Sequence, residues 1–258
     1  MIRRIVVFAA AFVGLAFLVL PVVAIFARVP PSHLFAQFGD RVVLDALRVS
    51  AETSVAAQAL VLLVGTPTAV VLARRFRFRD VLVSLVELPL VLPPAVAGLG
   101  LLAAFGRYGL LHTTIPFTKL AVVLAVAFVS GPLYVRAAIA AFEGVDAMIV
   151  SASRTLGAGP ARTFFRVVLP LARPGLAAGA ALALARGVGE FGATIMFAGS
   201  LQGRTETLPV AVYNEFNTSF DAVLAISALL IALSAALLIA LKWRPSLSTS
   251  RFRFAPSS

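Results

Sequence analysis

The 258-residue sequence has no cysteine, so disulfides and thiolate metal sites are excluded at the outset. Histidine is nearly as scarce. His33 and His112 are the only two, too few and too far apart in the chain for a usual zinc motif. No G-x-x-x-x-G-K-[ST] occurs, so the chain is not expected to be an enzyme that hydrolyses ATP itself. H-E-x-x-H and G-x-S-x-G are missing too, which removes the common protease and hydrolase readings. An intramembrane enzyme would need a nucleophile–base or metal set, and none is recognisable.

Acidic residues are few, 11 against 22 lysines and arginines, giving a net charge of +11. In a soluble protein that excess would suggest nucleic acid. Here apolar residues make up 60% of the chain and the mean hydropathy is +1.01. A soluble domain is typically ~45–50% apolar. The apolar residues fall in long runs at about 5–27, 49–73, 81–105, 120–141, 176–197 and 222–241. A run of ~20 residues crosses a bilayer as a helix. The expected fold class is therefore an all-α integral membrane protein of six transmembrane helices, one permease domain over 1–258. The basic residues sit mostly at the ends of the runs, as the positive-inside rule requires, and no nucleic-acid partner is expected.

The first run follows Arg3 and Arg4. A signal peptide has an apolar core of only ~7–15 residues, so a retained helix is the expectation. Six spans put both termini on one side. The segments assigned to the cytoplasm hold fourteen basic residues and the external ones five, with Arg48, Arg136 and Arg186 within or at the ends of spans. This orients both termini to the cytoplasm.

Residues 143–173 are neither a span nor a plain loop. Asp146 can cap a short helix that Gly157 ends, and Pro160 suits the first position of a second. Ile149, Ala152, Ser153 and Leu156 share one face of the first, and Ala161, Phe164, Phe165 and Val168 one face of the second. Two short amphipathic helices at a right angle either lie on the membrane surface or dock a soluble partner.

Three further features stand inside spans. Gly187-Val188-Gly189-Glu190-Phe191-Gly192 matches G-x-G-x-x-G but lacks the strand and βαβ unit of a dinucleotide site. Its small residues fit close helix packing or a gate. Arg186 and Glu190, four apart, form either an ion pair that lowers the cost of intramembrane charge or a polar element of a pathway. Glu52, Gln58 and Glu87 raise the same question, while Arg48 and Arg136 are placed to snorkel. Pro89, Pro93 and Pro94 should break the third span and free its carbonyls, beside a water-lined pathway or as a packing kink.

The run Ser151-Ala152-Ser153-Arg154-Thr155-Leu156-Gly157, nine residues, then Val167-Val168-Leu169-Pro170 resembles the cytoplasmic signature of ABC importer permeases. That signature reads Glu-Ala-Ala, three residues, Gly, nine residues, Ile-x-Leu-Pro. Ala152, Gly157, Leu169 and Pro170 match. Val167 replaces Ile, Ser151 replaces Glu and Ser153 replaces Ala. The segments Leu88–Gly98, Phe105–Gly109, Gly189–Gly199 and Thr207–Tyr213 resemble the molybdate permease subfamily, with sulfate and tungstate permeases as near relatives. The resemblance covers roughly residues 45–242.

It implies the type I ABC importer transmembrane fold in the cell membrane, a homodimer, two ATPase subunits that use ATP and Mg, an external substrate-binding protein, and alternating access. This chain would bind no cofactor or metal. Ser151, Ala152, Ser153, Leu156, Gly157, Ala158, Leu169 and Pro170 become candidates for coupling to the ATPase. Pro93, Pro94, Gly98, Arg186, Glu190, Gly192 and Thr194 become candidates for the translocation pathway or gate. The competing function is a secondary transporter coupled through intramembrane carboxylates, often with internal repeats. No repeat is obvious here, and that reading leaves the cytoplasmic signature unexplained.

Overall fold

Long apolar runs in lipid must satisfy their backbone groups internally, and the helix does this within each segment. The computed structural model describes residues 2–28 and 39–242, and all regular structure among them is helical. In chain order the helices are α1 (Ile2–Arg28), α2 (Arg41–Leu72), α3 (Arg79–Val91), α4 (Pro94–Phe105), α5 (Lys119–Glu143) and α6 (Ala147–Thr155). They continue with α7 (Pro160–Val188), α8 (Gly192–Ala198), α9 (Leu208–Glu215) and α10 (Phe220–Lys242). The helices α1, α2, α5 and α7 are each long and apolar enough to cross a membrane, and the pair α3 and α4 adds a fifth if it counts as one span. In α10, 23 residues long, Ala222 to Leu241 are apolar except for Ser227 and Ser234.

The centre of the molecule is α5, which lies between α2 and α7. Close packing against α7 follows from small residues four apart. Gly175, Gly179, Ala183 and Gly187 form one stripe along α7. A Cβ on Gly175 would stand 2.6 Å from the Ala141 Cβ, one on Gly179 2.6 Å from the Ala137 Cβ, and one on Gly187 2.9 Å from a Val126 methyl. Helices in lipid gain little from burying apolar surface, so this backbone approach and a few polar links hold them. The Thr66 and Tyr134 hydroxyls bond at 2.6 Å between α2 and α5, and Gln58 Nε2 donates to the Ala180 carbonyl at 3.2 Å between α2 and α7.

Two spans are interrupted. Leu92 (ψ 137°) and Pro93 (ψ 131°), each preceding a proline, are both extended, as the steric clash with the following ring demands. The helix stops at Val91, restarts with Pro94 at N1, and turns by 115°. Pro89 stays inside α3, so the break belongs to the Pro93-Pro94 pair alone. The second interruption is at Gly189–Phe191, inside the run at 176–197, which is not one helix: α7 ends at Val188 and α8 begins at Gly192. Nor is the second amphipathic helix separate. It is continuous with the long α7 through a π-helical turn at Phe164–Val168, where the Leu169 N–H bonds five residues back to the Phe164 carbonyl. Pro170 has no N–H to give, and its ring crowds the carbonyl four residues earlier, so the turn before it widens.

Candidate functional site

The first group of candidate residues forms an elbow between α6 and α7. Asp146 caps α6, accepting from the Met148 N–H at 2.7 Å. The far end closes with two reversed bonds, Gly157 N–H to the Arg154 carbonyl at 2.9 Å and Ala158 N–H to the Ser153 carbonyl at 3.1 Å. Gly157 sits at φ +84°, in the left-handed region that a side chain disfavours, although a Cβ there would meet nothing within 4 Å. The requirement is therefore backbone shape and not space. Ser153, which replaces the signature's Ala, donates to or accepts from the buried Thr163 hydroxyl at 3.2 Å and ties the two arms together.

Ser151, Ala152, Leu156 and Gly157 are exposed, and Leu156 is 88% so. Met148, Ile149 and Phe165 are exposed as well, so the elbow presents apolar side chains that nothing among the described residues covers. Leu169 is half-buried and Pro170 exposed, at the π turn below the elbow.

The second group gathers where the two interrupted helices meet. A Cβ on Gly98 would stand 2.7 Å from the Ala193 carbonyl oxygen and 2.8 Å from the Met196 Cβ. One on Gly192 would stand 2.8 Å from the Pro94 Cβ. Two breaks far apart in sequence thus touch through glycine, and Pro93, Pro94, Gly98 and Gly192 share one junction. Arg186, in the last turn of α7, bonds to Glu190 at 2.7 Å. The second Glu190 oxygen accepts the Ala193 N–H at 2.9 Å. The pair does not lie within one helix, as its spacing suggested. It spans the break, with the cation at the C-terminal end of α7 and the carboxylate at the start of α8, both favourable against the backbone dipoles. The Glu190 side chain is 1% exposed and that of Arg186 36%. Thr194 is fully buried, and its hydroxyl has no partner among the described residues.

The other charges within spans are paired too. Glu52 takes Arg48 at 2.7 Å and Lys119 at 2.6 Å, and Glu87 takes Arg136 at 3.5 Å. Arg48 and Arg136, expected to snorkel, therefore also hold carboxylates, while their side chains remain mostly exposed. Sequence reasoning did not single out Glu206, buried and bonded by Asn214 at 2.7 Å, nor Ser50, whose hydroxyl accepts the Leu208 N–H at 2.8 Å. The polar run Thr205–Thr207 between Gly203 (φ +69°) and an apolar helix was the available signal.

The family model described as binding-protein-dependent transport system inner membrane component matches residues 62–243. The molybdenum transport system permease protein ModB of Mycobacterium tuberculosis is 42% identical over 253 residues, covering 94% of this chain and 95% of that protein. Its counterpart in Escherichia coli K12 is 46% identical over 151 residues, covering 55% of this chain and 66% of the relative. Among solved structures, the MetNI methionine ABC transporter in inward-facing conformations has the same fold, with a TM-score of 0.59, 20% identity, and coverage of 78% of this chain and 92% of that one. The chain belongs to the binding-protein-dependent inner membrane permeases of ABC importers, in the molybdate and oxyanion group of that family.

Proposed function

We propose that this chain is the translocating subunit of an ATP-driven importer for a small tetrahedral oxyanion, molybdate first and tungstate or sulfate next. It acts as a homodimer with two copies of a separate ATPase, which uses ATP and Mg, and an external binding protein delivers the anion. The chain itself holds no cofactor. Six spans leave both termini in the cytoplasm, with α3 and α4 together as the third and α10 as the sixth. The choice of molybdate first is supported by relatives named for molybdenum transport.

The observation that carries the mechanism is the exposed elbow at the base of α7. Leu156 stands at the tip of a turn whose shape Gly157 sets, with the apolar side chains of α6 around it. A cleft in the ATPase would cover that surface. The helix α7 runs 29 residues from the elbow, about 43 Å at the usual rise, and ends at Val188, with Arg186 in its last turn before the break to α8. A displacement at Pro160 therefore reaches the junction of the interrupted helices, and alternating access follows if that junction opens and closes. Thr194 is buried, so its hydroxyl meets the anion only when the helices part. Glu190 is no obstacle to an anion because Arg186 offsets its charge and the Ala193 amide holds its other oxygen.

A secondary transporter would need a carboxylate free to take up the coupling ion. Glu52, Glu87 and Glu190 each have a cationic partner, which weighs against that reading. Vesicles carrying the assembled complex and its binding protein separate the two. Uptake should require ATP and ignore imposed proton or sodium gradients. Gradient-driven uptake without the ATPase would reverse the assignment.

A further inference from the structure

The sequence Arg74-Arg75-Phe76-Arg77-Phe78-Arg79 joins α2 to α3 and alternates cations with aromatics. Arg79 is committed to the fold: its Nε donates to the Leu72 carbonyl at 2.8 Å, and it pairs with Glu143 at the end of α5. The other three arginines have no carboxylate partner among the described residues and are exposed. Phe76 is 40% and Phe78 63% exposed, and the Arg77 guanidinium lies over the Phe78 ring at 5.6 Å. An exposed phenyl ring costs little at a lipid headgroup layer, where aromatic and basic side chains collect.

Above this loop α3 packs on α5 and touches α2 more sparsely. Between them, and closed at the far end by Leu101 and Phe105 of α4, is an apolar groove of about 490 Å³ lined by Val64 and Thr68 of α2, Leu85 of α3 and Phe128 of α5. Thr68 and Leu85 lie within about two helical turns of the loop. Exposed cations one to two helical turns from an apolar groove match the two ends of one molecule.

We propose that the loop and groove bind an anionic phospholipid. Its phosphate sits among Arg74, Arg75 and Arg77, where guanidinium groups give paired charged hydrogen bonds, and one acyl chain lies in the groove. Only the choice of the cytoplasmic leaflet rests on the topology proposed above.

Native mass spectrometry of the full-length protein tests this with phosphatidylglycerol and phosphatidylcholine of identical chains. Each basic residue near an anionic surface contributes roughly fivefold, so the anionic lipid should bind on the order of a hundredfold more tightly. Arg74→Gln/Arg75→Gln/Arg77→Gln should abolish that preference. Arg154→Gln/Arg162→Gln/Arg166→Gln, an equal change of charge, should keep it. Thr68→Trp, which fills the groove, should weaken both lipids. Equal affinity of the wild-type protein for the two lipids overturns the proposal, whatever the variants do. So does competition by chain-free glycerol phosphate as effective as the lipid itself, which would mean a phosphate site alone. Lipid bound by a monomer but excluded from a dimer would place a second copy in the groove and overturn it equally.

Discussion

At the scale of residues, the sharpest commitments are Glu190 and Gly157. Removing one member of a buried ion pair strands the other, at about 3–5 kcal/mol when both are fully desolvated. Glu190 is buried but Arg186 is partly exposed, so the two truncations should differ. Arg186→Ala leaves a buried carboxylate with one backbone donor and should cost more than Glu190→Ala, whose stranded cation can reach water. Thermal unfolding of both singles and the double variant reads this, and equal costs with no coupling would contradict the geometry. Gly157→Ala should cost about 1 kcal/mol through its left-handed backbone, and Gly157→Val more. The membrane helices should remain intact by circular dichroism while Gly157→Val loses assembly with the ATPase or couples hydrolysis poorly to uptake. Full ATP-driven uptake by Gly157→Val would remove the elbow from the mechanism. The glycine and the i, i+4 pair were visible in the sequence. The exact partners were not: Ala193 can donate to Glu190 only because the helix breaks at Gly189–Phe191, and Thr163 is reached through the chain reversal at Gly157.

At the scale of elements, α7 and the two breaks decide the architecture. Gly179→Leu would push a side chain into Ala137 and the backbone of α5, and overpacking of this kind costs about 1–3 kcal/mol. Leu182→Ala, on an exposed face of the same helix, should change stability little. The melting temperature of the detergent-purified protein compares them, and equal effects would contradict the packing described. The break at Pro93-Pro94 was legible because consecutive prolines force extended residues before them. The break at Gly189–Phe191 was read as small residues inside one span, since no proline marks it. Periodicity likewise separated the second amphipathic piece from the fifth span, although a π turn lets them run on as one helix. Local patterns find the starts of helices better than their continuations.

At the scale of the whole molecule, the apolar runs and the placement of basic residues made an all-helical membrane protein legible, and the cytoplasmic signature made the family legible. Contacts between distant segments, such as Gly98 on Ala193, came only from the fold. The proposed topology makes its own prediction. In this cysteine-free chain, Gly203→Cys should label from outside and Ser248→Cys only from the cytoplasmic side. Labelling of both from one side would overturn the six-span arrangement.

The central claim is that this chain moves molybdate inward at the expense of ATP. The most direct measurement is uptake of labelled molybdate into proteoliposomes containing the complex, its ATPase and its binding protein. ATP-dependent accumulation should be seen, competed by tungstate and more weakly by sulfate, and absent without ATP. ATP-dependent uptake of an amino acid, sugar or metal cation with no response to any of these oxyanions would contradict the account.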